Sequence, residues 1–126
     1  MRRKAIRAAL IKRAADVFSK DTAETTLIAP ISPTPPALID RVLDALQLTA
    51  EDVVVDLGCG DGRWLFQAAA NARCHCRGYE RNPAFVSKAR ESASAQNLAN
   101  LVTIEATDIF EAPLAGATVV IVYLFR

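Results

Sequence analysis

Cysteine is scarce: three in 126 residues, too few for the disulfide framework of a small extracellular domain. The single histidine, His75, leaves little room for a Ser–His–Asp or Cys–His nucleophile system. Five glycines and six prolines are too few for collagen-like or low-complexity sequence. No apolar run approaches the roughly 18–20 residues of a membrane span. What the chain does have is 52% hydrophobic residues, which excludes a disordered polymer. The length suits one domain, able to bury roughly two-thirds of its unfolded surface. It reads as a soluble intracellular protein with reduced thiols.

A near-neutral total hides an uneven charge distribution. Residues 1–13 carry Arg2, Arg3, Lys4, Arg7, Lys12 and Arg13 and no acid, while nine basic and fourteen acidic residues follow. The body is therefore mildly acidic, and no nucleic-acid footprint is expected outside the leader. Residues 4–19 have helix-forming composition. Their Arg-rich, acid-free start fits either a mitochondrial presequence or a plain basic helix, so the compartment reads as mitochondrial or cytoplasmic. Four prolines in 21–36 exclude a long helix or central strand there. The organisation is thus a basic leader helix and irregular linker over 1–29, then a domain over 30–126.

From Thr34 the pattern becomes regular. Thr34 and Pro35 suit a helix start, and Leu38, Ile39, Val42, Leu43 and Leu46 follow at helical spacing. Strands are expected at 53–57, 74–79, 101–106 and 118–125, with helices over 61–72 and 83–97 between the first three. Alternating elements with strands apolar on both faces predict an α/β fold, a Rossmann-like doubly wound parallel sheet.

The first strand runs into Asp56-Leu57-Gly58-Cys59-Gly60-Asp61-Gly62 and then directly into a helix. Such glycines allow positive φ and close approach of a ligand, and the helix start offers free N–H groups. A dinucleotide loop wants GxGxxG; here Arg63 stands at the third glycine's place, which disfavours a nicotinamide-binding protein. Asp56 at the strand end repels phosphate and suits an ammonium group. The loop favours a zwitterionic nucleoside without phosphate. Glu80, 24 residues on at the end of the second strand, can accept two ribose hydroxyls. Asp108, just past the third strand, can accept from an exocyclic adenine amine.

At these residues the chain resembles the class I S-adenosylmethionine-dependent methyltransferases. VVVDLGCGDG looks like their first motif, Glu80 their second and Thr107-Asp108-Ile109 their third. Pro33-Thr34, DLGCGDGR and Gly78-Tyr79-Glu80-Arg81-Asn82-Pro83 together resemble the protein-lysine methyltransferases of ATP synthase subunit c and the adenine nucleotide translocase, with their bacterial relatives. The resemblance implies S-adenosyl-L-methionine as cofactor and a protein lysine as acceptor. It places Asp56, Gly58 and Gly60 at the methionine moiety, Glu80 at the ribose and Asp108 at adenine. Thr34 falls in the segment that closes over the cofactor, and Tyr123 forms the wall facing the incoming amine. It also implies that 53–125 supply only the half ordered 3-2-1-4 of a seven-stranded sheet. The chain is then truncated after the fourth strand, which stands as an open edge prone to self-association. A cofactor-binding fragment without catalysis is the alternative.

Other constellations carry less. Cys74-His75-Cys76 has a metal-like look, but strand alternation sends His75 to the face opposite the cysteines, so no metal site is expected. Cys59 at a helix start is a position that can lower a thiol pKa. Trp64, Leu65 and Ala68 read as helix packing, and Arg63, Arg77 and Arg81 as solvated charges.

Overall fold

The computed structural model describes residues 7–11, 27–28 and 36–123. Its elements are β1 (Arg7–Ile11), β2 (Leu27–Ile28), α1 (Pro36–Leu46), β3 (Val53–Leu57), α2 (Arg63–Ala72), β4 (His75–Glu80), α3 (Pro83–Ala95), β5 (Val102–Ala106) and β6 (Val119–Tyr123). All strands are parallel, in the order β2-β1-β6-β3-β4-β5. The run β5-β4-β3-β6 is the 3-2-1-4 half expected from the sequence. Strand order reverses between β3 and β6, and ligands of open α/β sheets bind at the carboxyl ends beside such a reversal.

Two expectations fail at the amino terminus. Residues 7–11 form a strand rather than part of a leader helix, in register with β6 from Arg7↔Val119 to Ile11↔Tyr123. Ala-Ala-Leu-Ile favours helix locally, but an unpaired row of β6 backbone groups rewards pairing, and tertiary context outweighs propensity. In consequence β6 lies between β1 and β3 and is no edge, so the expected template for self-association is covered.

The three helices among the described residues share one face of the sheet. Ile39, Val42 and Leu43 of α1, Trp64, Leu65 and Ala68 of α2 and Val86 and Ala89 of α3 form one cluster with Val54, Cys76, Ile104 and Ile121. Helix α3 starts where the sequence marks it, with Pro83 in the first turn and the Asn82 side chain accepting from Ala84 N at 3.0 Å. The opposite face carries Val55, Tyr79, Ala117 and Val120, and among the described residues no helix covers it. As strand alternation requires, Cys74 and Cys76 are buried with sulfurs 3.9 Å apart while His75 is exposed.

A buried polar network fixes the register of β3 against β6 at their amino ends. Thr118 Oγ1 donates to Asp52 Oδ1 at 2.7 Å and accepts from Val53 N at 2.9 Å. Asp52 is fully buried, and its Oδ2 accepts from Thr49 N at 2.8 Å. Thr118→Val removes both hydroxyl bonds while keeping the shape. Since a buried group losing its partner costs about 1–3 kcal/mol, urea denaturation should show a loss of that size. A change under about 0.5 kcal/mol would mean that the network does not carry the register.

Candidate functional site

The loop after β3 is fastened to the end of β4. Gly58 N and Cys59 N both donate to the Tyr79 carbonyl, at 2.8 and 3.1 Å. Gly60 N donates to Glu80 Oε1 at 3.0 Å, and Asn82 N donates to Glu80 Oε2 at 2.7 Å. Gly58, Gly60 and Gly62 all have positive φ, so the turn has a backbone that other residues adopt at a cost. At Gly60 an added Cβ would meet nothing within 4 Å, so the loop presents bare backbone to open space. Asp61 and Arg63 brace it: Arg63 Nε and Nη2 reach the two carboxylate oxygens at 3.2 and 2.9 Å. The hydrogen bond from Arg63 holds the Asp61 carboxyl below its ordinary range. Arg63 is therefore an ion-pair partner and not a merely solvated charge.

Asp56 is the electrostatic centre of this region. It is 1% exposed, and its Oδ1 is buried with no hydrogen-bond partner among the described residues. Burial, reinforced by the negative charge of Glu80, pushes its carboxyl up to about 8. A buried carboxyl oxygen left unsatisfied suits a cationic N–H donor brought by a ligand. Cys59 behaves opposite to the expectation from its helix-start position. Burial, with the charges of Asp56 and Glu80, drives its thiol well above the ordinary value, so it is no activated nucleophile.

Asp108 closes the other side. Thr107 N donates to the Glu80 carbonyl at 3.1 Å, bringing the end of β5 beside that of β4. The half-buried Asp108 turns its Oδ1 onto Phe110 N at 2.9 Å, leaving Oδ2 without a partner among the described residues. Asp56, Gly58, Gly60, Glu80 and Asp108 thus all sit at the carboxyl ends of adjacent strands. Tyr123 ends β6 on the same side of the sheet; only its backbone is described. Thr34 lies outside the described residues.

Three residues of β4 have roles that the sequence alone did not reveal, although Gly78 and Tyr79 stand in the quoted motif. Gly78 sits where an added Cβ would lie 2.6 Å from Leu65 Cδ1 and 2.7 Å from Cys59 Sγ, so its bareness lets the glycine loop settle. Gly78→Val should lower stability by roughly 1–3 kcal/mol through overpacking and distort the loop together with it. Chemical denaturation beside a ligand titration would check this, and wild-type values in both would refute it. Tyr79 contributes its carbonyl to the loop and its hydroxyl elsewhere. Arg77, expected to be a solvated charge, is half-buried and donates Nη2 to the Ala115 carbonyl at 2.8 Å. These contacts depend on partners distant in the chain; only the Asn82-Pro83 helix start was there to be read locally.

Known proteins resemble this chain. Over 96 residues the chain is 31% identical to a protein-lysine N-methyltransferase of Saccharolobus islandicus, covering 75% of this chain and 60% of that protein. The structure of an RNA methyltransferase from Salinibacter ruber with S-adenosyl-L-homocysteine is 41% identical with a TM-score of 0.71, over 74% of this chain and 61% of that one. A methyltransferase from Thiobacillus denitrificans, also with S-adenosyl-L-homocysteine, is 28% identical with a TM-score of 0.58, over 61% and 31% of the two chains. The chain spans about three-fifths of the length of the first two. An RNA methyltransferase among them leaves the expected exclusion of nucleic acid without support. No helix among the described residues is long and apolar enough to cross a membrane. Residues 56–126, which begin at Asp56 and hold the loop, Glu80 and Asp108, match the ANTKMT methyltransferase domain, and the chain belongs to that family.

Proposed function

We propose that this chain binds S-adenosyl-L-methionine across the ends of β3, β4 and β5 and serves methyl transfer to a protein lysine. The observation that carries the reading is the orphaned, buried Asp56 Oδ1 at the end of β3, where the chain enters a loop whose Gly60 backbone is open. A carboxyl there suits the ammonium group of a methionine moiety and opposes a pyrophosphate. In this reading Asp56 and the backbone of Gly58 and Gly60 hold that moiety. Glu80 accepts the ribose hydroxyls with the lone pairs left beside its two backbone bonds. Asp108 accepts from the adenine amine, Thr34 belongs to the covering segment, and Tyr123 walls the approach of the acceptor.

When bound, the cofactor supplies an electrophilic methyl group on a sulfonium. The protein's share is alignment and exclusion of water, which suffices for an in-line displacement. An apolar wall also favours the neutral amine that must attack.

The family membership and the archaeal lysine methyltransferase support lysine as acceptor. RNA is the second reading, favoured by the relative from Salinibacter ruber. Fourteen acids against nine basic residues after position 13 weigh against a polyanionic substrate. Incubating the chain with methyl-labelled cofactor and separate protein and RNA fractions tests the choice. Label recovered as methyl-lysine is the expected result; label released by ribonuclease would overturn the lysine assignment. Three free, buried thiols accord with a reducing mitochondrial or cytoplasmic setting.

A further inference from the structure

The segment from Thr107 to Thr118 leaves Asp108 at the site and crosses the helix-free face of the sheet before entering β6. Phe110 is 92% exposed and Leu114 41% exposed, so neither anchors it. Its apolar contacts with that face come from Ala112 and Ala117, whose small side chains bury little area. Two polar side chains from alternate positions of β4 hold it instead. Tyr79 Oη donates to the Pro113 carbonyl at 3.2 Å, and Arg77 Nη2 donates to the Ala115 carbonyl at 2.8 Å. Period two puts both on one face, while Gly78 between them faces the glycine loop. Tyr79 is 3% exposed, so its ring is a fixed post. Its carbonyl meanwhile accepts from Gly58 N and Cys59 N. One residue thereby ties the loop on one side of the site to the segment on the other.

We infer that Tyr79 and Arg77 are positioning residues for adenine recognition, acting through Asp108. The inference rests on the cofactor reading above and extends it to residues that touch no ligand. Between Asp108 and Pro113 the chain makes a tight local turn, with Phe110 N on Asp108 Oδ1 and Glu111 N on the Asp108 carbonyl at 3.0 Å. A shift at Pro113 or Ala115 is therefore passed back to the carboxylate that meets the adenine amine.

Calorimetric titration of the full chain with S-adenosylhomocysteine, and with its inosine counterpart lacking the 6-amino group, tests this. Wild type should prefer the adenine ligand. Tyr79→Phe and Arg77→Gln should weaken it about three- to tenfold and leave the inosine ligand unchanged, so that discrimination falls. On an Asp108→Ala background neither substitution should add a further loss of discrimination. Discrimination unchanged in both variants, or equal losses for both ligands, would overturn the inference. Failure of wild type to bind either ligand would overturn the cofactor reading and this assignment together.

Discussion

Replacing Glu80 with alanine should weaken S-adenosylhomocysteine binding by roughly 100-fold or more. Two charge-assisted hydrogen bonds to ribose hydroxyls are worth about 1.5–3 kcal/mol each. The carboxylate has a second task that adds to the loss. It receives Gly60 N and Asn82 N at 3.0 and 2.7 Å, so its removal also frees the glycine loop from the end of β4. Gly60 and Asn82 are both open enough to be rehydrated, which keeps the cost in fold stability small. Glu80→Gln should fall between, because an amide oxygen can accept at only one of the two positions. Titration calorimetry reads the affinities directly. A change below about threefold in the alanine variant would mean that the ribose is held elsewhere.

The ligand-free protein should lose stability as pH rises from about 4 to 8, and Asp56→Asn should abolish that slope. Asp56 ordinarily titrates near 3.8 and is raised to about 8 here, by burial and then by Glu80. Between those values the folded state keeps a proton that the unfolded state has released. Stability attributable to this group is therefore fully present below pH 4 and is lost as pH climbs through the folded value, at roughly 1.4 kcal/mol per pH unit. The charged and titratable groups around it are Glu80 from β4, Cys59 from the loop and Cys76 from β4. Asparagine is neutral throughout, so the variant should melt higher than wild type at pH 8. An ammonium ligand reverses the preference by stabilising the carboxylate. Binding of S-adenosylhomocysteine near neutral pH should then release about one proton, read from calorimetry in buffers of different ionisation enthalpy. Parallel pH–melting profiles for the two proteins, or binding without proton release, would contradict this assignment.

The part of the site that lies contiguous in sequence was legible. Asp56 through Gly62 announce a strand, a turn with positive φ and a helix start within seven residues, and the structure builds them in that order. Glu80 was placed at the end of the second expected strand, and it ends β4. Its double backbone bond was not, because Gly60 lies 20 residues away in sequence and approaches only through parallel pairing. The same holds for Arg77 and Tyr79, whose partners lie 38 and 34 residues further on. A charged residue in a strand reads as solvated unless the segment crossing that face is known. Residues 7–11 failed for a different reason. Ala8, Ala9 and Leu10 are good helix formers, and only the neighbouring edge of β6 makes strand the better choice. Local chemistry was readable; long-range pairing was not.

The carboxylates at the ends of β3, β4 and β5 should take a phosphate-free, zwitterionic adenosine ligand. Calorimetric titration of the full chain with S-adenosylhomocysteine, and in parallel with NAD, tests it most directly. S-adenosylhomocysteine should bind at one site, and NAD should give no measurable heat of binding. Saturable binding of NAD with no response to S-adenosylhomocysteine would contradict it.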